Sequence, residues 1–310
     1  MDSIIAIGTS PGPHLMRPLL GLLFLLAVAA TPARAADAAP ATRAPAGTAT
    51  TVQARFEQPD QTIEYHFMLR VAPMREESLA TTFPARVAAP LAPVATVGAL
   101  DEGQACGYVD SKTRELRKRN LIVRVREGRI TLKARGPSPA QLLDLQSCRS
   151  KKYEMDYFGT RDYSISSDIK IMASAGGVSP TAGDASHIWE LIARECPAAW
   201  RQVQPAVAAA GACEIPGVAR MYSADVTLKH ANAARVKEAG VTVWFFSPTG
   251  RTLVELAFTG YVKDRGAMDR MYADLKASLR SAGLLAADQS SKTAQYFAAY
   301  EDTAGSTRQH

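Results

Sequence analysis

Residues 121–136 read LIVRVREGRITLKARG. Apolar and basic side chains alternate with period two on both sides of Glu127-Gly128, the pattern of strands with one buried face. A two-residue connection ending in glycine suits a tight antiparallel hairpin. Directly opposed hairpin residues share a face, so Arg126 is predicted to oppose Arg129 and Arg124 to oppose Thr131. Arg124, Arg126, Arg129, Lys133 and Arg135 then project to one side. Val123, Val125, Ile130, Leu132 and Ala134 project to the other. Like charges crowded on a sheet face repel. Five basic residues on one face ask for an anion, or for open water with their aliphatic stems laid along the sheet.

The same alternation places acids elsewhere. Residues 63–70 (IEYHFMLR) put Glu64, His66, Met68 and Arg70 on one face. Residues 153–158 (YEMDYF) put Glu154 and Asp156 together. Two carboxylates two apart on a strand can reach one divalent cation, or pair with neighbouring Arg or Lys. A final hairpin, VTVWFFSPTGRTLVELAF at 241–258, turns at Ser247–Gly250 and carries Glu255 among apolar residues, a candidate to face the interior. A helix is predicted from about Asp264 to Ala282, striped by Met268, Met271, Tyr272, Leu275 and Leu279 and capped by Gly283.

The whole chain has globular composition: 310 residues, 47% hydrophobic and 21% charged. That length builds one large domain or two small ones. Lys+Arg total 36 against Asp+Glu 30, a net charge of +6. Asp2, Arg17 and Arg34 contribute +1 within residues 1–35, which leaves +5 for the rest. Such an excess admits an anionic partner without demanding nucleic acid, and aromatic residues do not alternate with basic ones as an RNA platform requires. There is no Walker-type glycine loop and no G-x-S-x-G elbow. His187 and His230 have no acid or nucleophile at a recognisable spacing.

Met16-Arg17-Pro18, the apolar run LLGLLFLLAVAA and Ala33-Arg34-Ala35 have the order of a secretory signal peptide. The expected organisation is a signal at 1–35 (with Met16 as an alternative start) and a flexible Ala/Pro/Thr-rich linker at 36–50. A single domain follows at 51–285, with a helical insertion at about 173–217, then a disordered tail at 286–310. The mature protein is expected to be periplasmic or secreted, with no membrane span after cleavage. Its oligomeric state is left open. In an oxidising compartment Cys106, Cys148, Cys196 and Cys213 are expected to form disulfides. Of three pairings, Cys196–Cys213 and Cys106–Cys148 are favoured. The absence of C-x-x-C argues against thiolate-bound zinc.

The succession Gly107-Tyr108-Val109-Asp110, Leu116-Arg117-Lys118-Arg119, Leu121–Arg126, Thr131-Leu132-Lys133 and Tyr153-Glu154-Met155-Asp156 resembles the CYTH superfamily, the triphosphate tunnel metalloenzymes. Leu253-Val254-Glu255-Leu256 and the closing helix resemble that family's C-terminal end. The likeness implies an α+β fold: an antiparallel β-barrel or tunnel of about eight strands with covering helices. It implies phosphate contacts from Arg124, Arg126 and Lys133, to which the hairpin pattern adds Arg135. Glu64, Glu154 and Asp156 would hold Mg²⁺ or Mn²⁺, with Glu64 and Glu154 catalytic. The ligand would be a phosphate-rich anion such as tripolyphosphate, polyphosphate or an organic triphosphate.

One departure stands out. The family's first strand reads Glu-x-Glu-x-Lys, and here it reads Glu64-Tyr65-His66-Phe67-Met68, with Arg70 one step further on the same face. His66 is a poor ligand for Mg²⁺. It reads either as a hydrogen-bonded interior residue or as a preference for Mn²⁺ or Zn²⁺. Two function classes remain: a metal-dependent phosphohydrolase, and a non-catalytic anion-binding or structural envelope protein with a degenerate tunnel.

Overall fold

In the computed structural model, residues 52–143, 145, 151–171, 178–247 and 249–306 are described. The expected signal and linker segments, and Cys148, lie outside them. The strands are β1 (Thr62–Leu69), β2 (Ala95–Leu100), β3 (Gln104–Ser111), β4 (Leu121–Arg126), β5 (Arg129–Gly136), β6 (Lys151–Tyr157), β7 (Arg161–Lys170), β8 (Gly183–Asp184), β9 (Cys213–Ile215), β10 (Ala219–Leu228), β11 (Val236–Phe246) and β12 (Arg251–Tyr261). The longer helices are α1 (Ser186–Glu195), α2 (Pro197–Ala210), α3 (Arg265–Ser281) and α4 (Lys292–Ser306). No described helix is long and apolar enough to cross a membrane.

The strands form one 12-stranded sheet in the order β2-β10-β11-β12-β1-β6-β7-β5-β4-β3-β9-β8, and β10 pairs with β3 as well. Pairing therefore runs round a ring of nine of the described strands, from β10 through β12, β1, β7 and β4 to β3 and back. All the pairings are antiparallel except β1 with β6, which sets Glu64 opposite Asp156. About eight strands were expected. The extra ones are short or, like Ala95–Leu100 (ATVGAL), carry no alternation to read.

The β4–β5 hairpin takes the predicted register, Arg126 opposite Arg129 and Arg124 opposite Thr131. Gly128 closes its turn at φ 66°, a conformation that suits glycine. Its apolar face is fully buried in the main core, together with Ile188, Leu191 and Ile192 of α1, Val203 of α2, and the predicted stripe of α3. Tyr272 of α3 stacks on Phe67 of β1 at 4.6 Å.

A second apolar cluster lies on the opposite face of the sheet. Met68, Cys106, Tyr108, Trp244, Phe246 and Leu253 meet Tyr296, Phe297, Ala299 and Tyr300 of α4. Tyr296 sits edge-on to Tyr108 at 4.8 Å, and its hydroxyl donates to the Gly217 carbonyl. This corrects the expectation of a disordered tail for 292–306; residues 307–310 lie outside the described residues. The segment is poor in large apolar residues, but the few it has fall at helical spacing and cover one face of the sheet.

Cys106 and Cys213 are free and buried, which overturns both favoured pairings. Cys196 is disulfide-bonded. Closeness in sequence misleads here, because α2 separates Cys196 from Cys213 by 14 helical residues, roughly 21 Å at 1.5 Å per residue. A disulfide needs Cα atoms within about 7 Å. Cys106 faces the second cluster, beside Tyr108 and Trp244.

Candidate functional site: a basic pocket with a buried histidine

The face of β4 and β5 that carries the arginines lines a cavity of about 330 Å³, shared with β1, β6, β7 and the start of α4. That is within the size range of ligand pockets, roughly 300–1,000 Å³. Seven cations line it, Arg124, Arg126, Arg129, Lys133, Arg135, Lys152 and Lys292, against three carboxylates, Glu64, Glu154 and Asp168.

The cations divide into two groups. Most are neutralised in place. Arg135 donates to Asp156 Oδ2 through Nη2 at 2.7 Å and Nε at 3.1 Å. Lys133 lies 3.3 Å from Asp156 and 3.6 Å from Glu154, and Lys152 pairs with Glu154. Arg129 reaches Asp168 at 3.4 Å. Arg124 and Arg126, by contrast, have no ion pair among the described residues, and Arg124 Nε is buried without a hydrogen-bond partner. Burial pushes the Arg126 guanidinium down, and Arg124 beside it adds to the shift. Burial also opposes the Arg124 charge, but Tyr108, Cys106 and Asp168 around it together raise it.

His66 occupies the centre, 1% exposed. Its Nδ1 lies 2.9 Å from Glu255 Oε1. Nε2 lies 3.5 Å from Asp156 Oδ1 and 3.6 Å from Glu64 Oε2. Phe158 stacks on the imidazole at 4.1 Å with ring planes 5° apart. Lys292 Nζ completes the chain at 2.7 Å from Glu255 Oε2. Burial alone would raise the Glu255 carboxyl, but Lys292 and His66 bring it down to about 2. Burial likewise disfavours a charged His66, yet Glu64 and Glu255 lift it to about 9. Burial also works against the Asp156 carboxylate, but Arg135 and Lys133 hold it well below the usual carboxylate range.

The structure thus brings every proposed phosphate contact, Arg124, Arg126, Lys133 and Arg135, to one cavity with Glu64 and Glu154. Asp156 lies behind it, fully buried. Glu154 turns toward Lys133 and Lys152, and burial opposes its charge while those lysines keep it low. The three residues whose ligand atoms converge, all within 4.8 Å of one another, are Glu64, His66 and Asp156. His66 stands where Glu154 was expected. Both His66 Nε2 and Asp156 Oδ1 are buried without a hydrogen-bond partner. Buried polar atoms are nearly always satisfied, so this pair, with a carboxylate at the rim, fits a bound divalent ion. Three charged site residues escape the sequence reading: Lys152, beside the acidic pair on β6, Lys292, in the segment expected to be a tail, and Asp168, on β7, a strand the alternation does not mark.

Neither known protein families nor curated proteins match the chain. Solved structures similar to it include a candidate adenylyl cyclase from Hippeastrum with a dominant triphosphatase activity. That likeness has 12% identity and a TM-score of 0.40, and covers 75% of this chain and 94% of the other. Candidate adenylate cyclases from Bacillus halodurans and Vibrio parahaemolyticus also match. Each is 12% identical over 76% of this chain, covering 98% and 95% of the other chain, with TM-scores of 0.32 and 0.34. At such scores the likeness adds no weight to the site, which rests on the side chains described above.

Proposed function

We propose that the pocket binds the phosphate chain of tripolyphosphate or an organic triphosphate and hydrolyses it with a divalent ion. The observation that carries this reading is the pair Arg124 and Arg126, two guanidinium groups aimed into a small cavity with no carboxylate partner among the described residues. Like charges side by side on one sheet face repel, and guanidinium forks match phosphate oxygens bidentately. A phosphate chain is the ligand that resolves both.

Within this reading Arg124 and Arg126 grip the chain and offset the charge that develops on it. Lys133, held between Glu154 and Asp156, presents its ammonium at a fixed place on the cavity wall. Glu64, 27% exposed, keeps an edge open to the cavity and is assigned to orient the attacking water. A divalent ion at Glu64, His66 and Asp156 would neutralise phosphate oxygens and polarise the bond to be broken. A second reading, binding without turnover, draws on the engagement of Glu154 and of Asp156 Oδ2 by protein cations. Export of the protein, with residues 1–35 as its signal, belongs to the same proposal.

The test is orthophosphate release from tripolyphosphate, with and without added divalent metal. Metal-dependent release that falls at least tenfold in Glu64→Gln supports hydrolysis. Saturable binding with no release leaves the second reading. No binding at all overturns both.

A further inference from the structure

We propose that His66 makes this a zinc-selecting site, in which Zn²⁺ is held by His66 Nε2, Asp156 Oδ1 and Glu64 Oε2 with an open position toward the cavity. The inference rests on the proposed function and names its metal.

The tautomer follows from the partners. Glu255 is held as a carboxylate by Lys292, so it can only accept, and His66 Nδ1 must carry the proton it shares with Glu255. On binding metal the ring gives up its Nε2 proton, and the lone pair left there faces Asp156 Oδ1 and Glu64 Oε2. A carboxylate accepting the far ring N–H is the usual outer partner of a metal-binding histidine, and it raises the basicity of the ligating nitrogen. Stacking against Phe158 fixes the plane of the ring, so the nitrogen is aimed as well as oriented.

The spacing suits the same ion. Zinc bonds of about 2.1 Å in tetrahedral geometry put ligand atoms about 3.4 Å apart. The two nitrogen–oxygen separations are 3.5 and 3.6 Å. Three protein ligands with a fourth position free is the arrangement of zinc sites that act on a substrate. Magnesium prefers oxygen donors in octahedral geometry and dehydrates reluctantly, whereas imidazole favours zinc. The other oxygen of Asp156 is already taken by Arg135. The buried donor set is therefore too small and too nitrogenous for magnesium.

The experiment uses the untagged full chain stripped of metal and contains no phosphate. Equilibrium dialysis is run against Zn²⁺ and against Mg²⁺, and Co²⁺ is added as a visible probe of coordination. The expected result is one zinc per chain, retained against excess Mg²⁺, and a tetrahedral Co²⁺ absorption. His66→Gln should lose zinc affinity by more than the roughly 10–100-fold typical of removing an outer-shell partner. Glu255→Gln should fall within that range. Melting curves check that the variants fold. If His66→Gln does not fold, Glu64→Gln at the rim carries the same test. Equal affinity for Mg²⁺, no zinc retention, or zinc retained undiminished in the folded variant would overturn the assignment. Zinc binding in a protein that ignores tripolyphosphate sinks the proposed function alone. Tripolyphosphate binding without zinc selection sinks this inference alone.

Discussion

Lys292 opens α4 with its ammonium 2.7 Å from Glu255, a carboxylate 1% exposed. Removing one partner of a buried ion pair leaves an uncompensated charge and costs about 3–5 kcal/mol. Lys292→Ala should therefore destabilise the fold by about that amount in urea titration, and Lys292→Arg by far less. Equal loss in the two variants would contradict a charge-pair role. The pH dependence has a definite sign. Glu255 is held at about 2 in the fold, against an ordinary glutamate value of 4.5. Its contribution is fully present above about pH 4.5 and is lost as pH falls toward 2. Acid should lower the melting temperature of the native protein across that window, and the slope should be shallower in Glu255→Gln. At this scale the sequence marks the basic face of the cavity: Arg124, Arg126 and Lys133 announce themselves by alternation. The same alternation puts His66 on the Glu64 face, but only the β1–β6 register, β12 and α4 reveal its company.

At the scale of elements, the β4–β5 hairpin was legible to the residue, because alternation and a Glu-Gly turn specify both register and face. α3 was equally clear and runs from Arg265 to Ser281. α4 was not, since its aromatic stripe is short and sits in a polar setting. Its packing is nonetheless substantial: Tyr296 is fully buried against Tyr108, Phe246 and Tyr300. Replacing a buried large aromatic by alanine costs about 3–5 kcal/mol. Tyr296→Ala should show that loss in chemical denaturation, with Tyr296→Phe losing only the hydroxyl contact to Gly217, about 1 kcal/mol. A tail that contributes nothing would leave Tyr296→Ala at native stability. The Cys196–Cys213 pairing fails for a related reason: the two are near in sequence, but a 14-residue helix intervenes.

For the whole molecule, the ring of strands has two contrasting regions on its inner face. One is apolar and packed by α4, the other is the basic cavity. The alternation of apolar and basic residues that marks β4 and β5 holds for one region only. The strands that follow, β11 and β12, instead offer Trp244, Phe246 and Leu253 to that face. Export is tested independently: N-terminal sequencing of protein recovered from outside the cytoplasm should begin at Ala36, and an intact N-terminus there would contradict the proposed signal.

In the proposed function Arg124 and Arg126 form the anion grip. Calorimetric titration with tripolyphosphate tests it most directly, comparing the native chain with Arg124→Ala. A hydrogen-bonded charge contact is worth about 1.5–3 kcal/mol, or roughly 10–150-fold in affinity. The native protein should bind saturably, and the variant should bind weaker by that factor. Unchanged affinity in a folded Arg124→Ala protein would contradict it.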